Sequence, residues 1–180
     1  MAASFYKNSV CSDLIVKTEK DSITTLINQV NYDNYKFVSV TNDDFVYNTH
    51  GWDEALINAI EVKGYGIAFG NDGTKNKHLP STCIISAEIT RALGWIQYPR
   101  LKHLCGDMVW QYIGKELNRL IYVKDVHIEH KHFLYGKAKK EDYEYSNSRE
   151  MYINDNATFQ DWLLNESQDD LRRIRSRMEV

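Results

Sequence analysis

The chain has 180 residues, 43% of them hydrophobic, and 22 Lys plus Arg against 25 Asp plus Glu, a net charge of −3. A domain of that size buries roughly two-thirds of its unfolded surface, the apolar share is enough for a core and argues against disorder, and the charge is too balanced for binding duplex nucleic acid mainly by bulk electrostatics, though a local basic groove stays open. No stretch approaches the ~18 consecutive apolar residues of a membrane span, and the start lacks a basic segment followed by an apolar one. Cys11, Cys83 and Cys105 have neither CxxC nor disulfide-framework spacing, so the expected setting is a reducing cytoplasm.

In chain order, the first apolar run is Asp13-Leu14-Ile15-Val16-Lys17, expected as a strand. Ser22 can cap a short helix through Ile23, Leu26, Ile27 and Val30. Lys36-Phe37-Val38-Ser39-Val40-Thr41 is the second strand and runs directly into Asn42-Asp43-Asp44. A strand–helix–strand unit of this kind predicts parallel pairing, with the Asn-Asp-Asp loop at the carboxyl edge of the sheet, where α/β proteins bind ligands. Trp52, Leu56, Ala59 and Ile60 share one face of a helix that carries Asp53 and Glu54 in its first turn and ends at Gly64.

Gly66-Ile67-Ala68-Phe69-Gly70 and Cys83-Ile84-Ile85 are the next strands, separated by the polar loop from Asn71 to Lys77. Ser86 is expected to cap a helix ending at Gly94. Asp107 opens a helix in which Val109, Ile113 and Leu117 recur every four residues. Leu120-Ile121-Tyr122-Val123 is a strand, and the alternation from Val126 to His132 puts Val126, Ile128, His130 and His132 on one face if extended. Asp155 or Asn156 is expected to open a helix with Phe159, Trp162 and Leu163, and Leu171, Ile174 and Met178 line a last one with an Arg-rich outer face. The division expected is a main domain over 1–165 and a helical extension over 166–180.

Four constellations can carry chemistry. Adjacent carboxylates Asp43 and Asp44 suit a hard divalent cation, or simply a solvated turn. His130 and His132, beside Glu129, can chelate one ion from a strand, or one of them can be a hydrogen-bonded core residue. Asp107 can act as a base or stabilise a helix N-terminus. Gly70-Asn71-Asp72-Gly73 is turn chemistry.

Their joint order carries a resemblance. Asn42-Asp43-Asp44, Thr49-x-Gly51-Trp52-Asp53, Gly70-Asn71-Asp72, Leu79-Pro80, Leu93-Gly94-Trp95, His103-Leu104-x-x-Asp107-x-x-Trp110, Glu129-His130-x-His132 and Gly136-Lys137 with Asp142 and Tyr143 stand in one sequence. From about Ser4 to Trp162 the chain resembles glycosyltransferases of the GT-A fold, and within them the family-2-like enzymes encoded in bacteriophage genomes. The resemblance implies a single α/β domain with a mixed, mostly parallel central sheet flanked by helices, and inverting transfer of a sugar from a nucleoside-diphosphate sugar, with Mn²⁺ or Mg²⁺ as cofactor. It implies Asp44 as metal ligand together with His130 or His132, and Asp107 as the base that takes the acceptor's proton. Asn42, Asp43, Asp72, Trp52 and Trp110 would line the donor and acceptor sites.

Two departures accompany it. The acidic motif reads Asn-Asp-Asp where the family has Asp-x-Asp, so Asn42 occupies the first ligand position. The first strand and most of the first helix of the family have no counterpart before Ser4-Phe5-Tyr6-Lys7-Asn8-Ser9, so a partner chain or second copy is one expectation for completing the sheet. The acceptor expected is a glycan, a protein or a modified DNA base, and the compartment a cytoplasm, the host's if the gene is a phage's. A metal-dependent phosphoesterase or nuclease using Asp43, Asp44, His130 and His132, and a non-catalytic binding protein, are the competing readings.

Overall fold

The computed structural model describes residues 2–10, 22–74, 79–131 and 143–178. The expected strand at 13–17, His132, and the motif from Gly136 to Asp142 lie outside these residues. Among the described residues, seven helices and five strands follow in the order α1 (Ala2–Asn8), α2 (Ile23–Asn28), β1 (Phe37–Val40), β2 (Phe45–Tyr47), α3 (Trp52–Glu61), β3 (Ile67–Asn71), β4 (Cys83–Ser86), α4 (Ala87–Leu93), α5 (Gly106–Glu116), β5 (Leu120–His130), α6 (Tyr143–Asn165) and α7 (Ser167–Met178).

The strands form one mixed sheet, ordered β1-β4-β3-β5-β2. The chain is α/β as expected, but the sheet is mainly antiparallel: among the described residues β3 with β5 is the one parallel pairing, whereas β1–β4, β3–β4 and β2–β5 are antiparallel. Connection length explains this. A parallel return needs a dozen or more residues, usually with a helix, and the β3-to-β5 path supplies α4 and α5 for it. β4 follows β3 after a short loop and therefore doubles back. Because β4 is antiparallel to both β1 and β3, and β3 is parallel to β5, the three strands β1, β3 and β5 point the same way. Their carboxyl ends share one edge.

Side-chain alternation divides the interior into two layers. Ile67, Phe69 and Ile85 face a cluster built with Ile89, Leu93, Val109, Trp110, Ile113, Trp162, Leu171 and Ile174 from α4 to α7. Ala68, Ile84, Val126 and Ile128 face the other cluster, with Phe5 of α1 and Trp52, Leu56 and Ile60 of α3. α7 is thus part of the main core, with Leu171 and Ile174 fully buried.

Several local expectations are revised. β2, directly after the Asp pair, had no sequence signal, because three residues are too few to show a period. The strand expected at 120–123 and the alternating run from Val126 as far as His130 are one long β5, kinked opposite Gly70, where two steps along β3 match five along β5. Ser22 caps α2 as expected, accepting the Thr25 amide at 3.1 Å. Ser86 does not cap α4: its hydroxyl accepts the Gly66 amide at 3.0 Å and ties β4 to the start of β3. Asp155 does not open a helix. It lies in the middle of α6, 1% exposed, on the same inward stripe as Phe159 and Trp162.

Candidate functional site

The site is built at the edge where β1, β3 and β5 end. Beyond β1, Asn42 and Asp43 are exposed, and the chain turns at Asp44 into β2. Phe45 of β2 pairs with His130 at the end of β5, and the Lys131 amide donates to the Asp44 carbonyl at 2.8 Å. This register brings two residues 86 apart in sequence together: His130 Nε2 lies 3.0 Å from Asp44 Oδ2. The Phe45 ring stacks on the imidazole, centroids 4.3 Å apart and planes 20° apart, and so holds its orientation. The pair is partly open to solvent, with side-chain exposures of 14% for His130 and 29% for Asp44.

β3 supplies the next wall. The Asp72 carbonyl accepts the His130 amide at 3.1 Å. The Asp72 carboxylate is 3% exposed and closes its own loop, accepting the Thr74 amide at 2.8 Å and the Ser81 hydroxyl at 2.7 Å. Asp72 therefore shapes the edge through backbone and loop, rather than presenting its carboxylate to solvent.

Asp107 is half-buried in the first turn of α5, its Oδ1 accepting the Met108 amide at 2.9 Å. Its charge reaches the Cys83 thiol, which burial first and Asp107 second push up to about 12. Cys83 opens β4 and pairs with Val40, the last residue of β1. Cys105 is likewise pushed up to about 12, by burial, then by Asp107 and Asp155. Neither thiol has nucleophile character at neutral pH.

Trp52 and Trp110 are 2% and 3% exposed. Trp52 packs with Phe5 and Tyr47, its Nε1 donating to Ser9 Oγ at 3.2 Å, and Trp110 packs against Trp95. Both are core residues that back the edge and do not line it. Two cavities lie elsewhere: about 290 Å³ between α2 and the 94–99 segment, and about 630 Å³ at the opposite sheet edge among Tyr35, Lys36, Tyr65, Arg91 and Arg177. Neither includes Asp44, His130 or Asp107.

Asp44 and His130 offer a carboxylate oxygen and an imidazole nitrogen, the donor types that Mn²⁺ accepts. Among the described residues no group of three His, Cys, Asp or Glu side chains is close enough to hold an ion without other ligands. A divalent cation held by this pair would need water and ligand oxygens for the rest of its shell. No helix among the described residues is long and apolar enough to cross a membrane.

Sequence reasoning missed Phe45, Ser81 and Asp155. Asp155 had a readable signal: Met151, Asp155, Phe159 and Trp162 recur at helical spacing, with a carboxylate in an otherwise apolar stripe. Phe45 and Ser81 had none, since stacking and loop closure depend on pairings made far along the chain. Comparison with protein-family models, with characterised proteins and with solved structures yields no match for this chain.

Proposed function

We propose that the protein is a divalent-metal-dependent glycosyltransferase of GT-A-like fold that moves a sugar from a nucleoside-diphosphate donor to an acceptor hydroxyl or amine. The observation that carries the reading is the Asp44–His130 pair at the edge where β1, β3 and β5 end; Asp107, in the first turn of α5, is the carboxylate assigned as base. Asp44 and His130 would hold the ion, with Asp43 beside them. When bound, the ion supplies positive charge to the diphosphate as it leaves. Asp107 takes the proton from the acceptor as it attacks the anomeric carbon, the task of a half-buried carboxylate in an inverting transfer. Phe45 keeps the imidazole in register, and Asp72 fixes the loop that backs it.

The test is calorimetric titration with a panel of nucleoside diphosphates, with and without Mn²⁺, followed by product analysis of nucleotide-sugar turnover. Binding that needs both Mn²⁺ and Asp44, with release of free sugar or a glycosylated acceptor, is the expected result. Absence of metal-dependent nucleotide binding overturns the reading, and metal-dependent phosphodiester cleavage with no sugar moved replaces it by a phosphoesterase.

A further inference from the structure

We infer that Asp155, in the middle of α6, is a positioning residue for Asp107: its carboxylate gathers the backbone of residues 102–104 and so sets where α5 begins. The inference rests on the reading of Asp107 as the base. Asp155 Oδ1 accepts the Lys102 amide at 3.0 Å, and Oδ2 accepts those of His103 at 2.9 Å and Leu104 at 2.7 Å. Three successive amides curled round a carboxylate form an anion-binding concavity whose anion is supplied by the protein itself. A 1% exposed carboxylate is costly to bury, and its neighbours on the inward stripe of α6, Phe159 and Trp162, are apolar. An apolar side chain at 155 would serve packing better, so the carboxylate is explained by the loop it holds.

The path from that loop to Asp107 is short and has little freedom. Cys105 follows with φ +65°, a left-handed conformation that non-glycine residues rarely adopt. Gly106 then passes so close to the Gln97 side-chain amide that an added Cβ would collide with it. Gln97 is itself anchored: Asn28 Oδ1 accepts its amide at 2.9 Å, and Asn28 Nδ2 donates to its carbonyl at 2.7 Å. The N-terminus of α5 is therefore held against Gln97 on one side and drawn by Asp155 on the other. Asp107 is the next residue along. α6 thus takes part in the chemistry without touching substrate.

The test is Asp155→Asn, which exchanges one acceptor oxygen for an NH₂ and cannot accept all three amides. By amide hydrogen exchange, residues 102–104 should lose protection by at least about 10-fold and the resonances of 105–108 should move, while β3 and β4 keep theirs. A displacement of Asp107 of order 1 Å should lower kcat for nucleotide-sugar turnover by roughly 10- to 100-fold, with Mn²⁺-dependent nucleotide affinity unchanged. Unchanged exchange at 102–104, or a parallel loss of affinity and protection throughout the chain, overturns the inference. Should Asp155→Asn not fold, Asp155→Glu, which keeps the charge but displaces it by one methylene, is read by the same two measurements. If Asp107→Asn leaves wild-type turnover intact, the base reading fails by itself, and exchange together with the 105–108 resonances still decides whether Asp155 sets the start of α5.

Discussion

Replacing Gly70 by alanine tests the link between sheet packing and the site. An added Cβ would stand 2.5 Å from the Val126 carbonyl oxygen and 2.9 Å from its Cγ1. Contacts under 3.0 Å essentially never occur, so β3 and β5 must part by at least about 0.5 Å at that point. Backbone lies on both sides, and no flexible side chain can yield. The contact falls at the kink of β5, with Val126 four residues before His130 and Gly70 two before Asp72, the residue after β3. Overpacking of this kind costs typically about 1–3 kcal/mol. For a domain of this size that corresponds to a fall in Tm of roughly 2–12 °C. The same displacement loosens the bond from the His130 amide to the Asp72 carbonyl and turns the imidazole relative to Asp44. Urea and thermal unfolding measure the first effect, and the His130 ring resonances the second. Stability within about 0.5 kcal/mol of wild type, with unmoved His130 resonances, would refute the idea that the close approach of β3 and β5 sets the site.

Four further outcomes follow from the same structure. Asp44→Ala and His130→Ala should each weaken Mn²⁺-dependent nucleotide binding at least about 10-fold by calorimetry while costing no more than about 1 kcal/mol in urea unfolding, because a half-open pair contributes little to stability. Ser86→Ala should destabilise by about 1–3 kcal/mol by leaving the buried Gly66 amide without its acceptor, whereas loss of a merely exposed cap would leave that amide's exchange unchanged. Asp170→Ala should cost a similar amount, since Trp162 Nε1 donates to Asp170 Oδ2 at 2.9 Å inside the core; Asp169→Ala, on the exposed side of the same turn, should be near neutral. The raised thiol pKa values of Cys83 and Cys105 have a sign: the folded protein holds those protons more tightly than the unfolded chain. Their stabilisation is intact below about pH 9 and is lost as pH climbs towards 12, and alkylation mapped by mass spectrometry at pH 8 should leave both unmodified in the native state.

Helices with strong apolar periods were legible in the sequence. The Trp52–Leu56–Ile60 face and the Val109–Ile113–Leu117 face fall where their spacing puts them. So do the strands at Phe37, Ile67 and Cys83, because short β-branched runs between polar turns have few alternatives. Strand direction was not legible. It depends on which strands pair, and the alternating residues of β4 would suit either a parallel or an antiparallel neighbour. At the site, the Asp pair and the late histidine were readable as residue types, whereas their 3.0 Å approach comes from the β2–β5 register that no local signal encodes. Trp52 and Trp110 show the converse: aromatic residues inside motifs look functional, and burial made them core.

The α4–α5 side of the core is closed by residues from the last quarter of the chain: Phe159, Trp162, Leu171 and Ile174. During synthesis the N-terminal elements emerge first, and the faces of α4 and α5 that α7 covers stay wet until residue 174 has been added. A nascent chain that folds before that point leaves this apolar helix face bare, the kind of exposure that promotes aggregation. Folding yield should therefore respond to the rate at which that last quarter is translated, and substitutions at Leu171 or Ile174 should lower soluble expression more than their equilibrium cost alone accounts for.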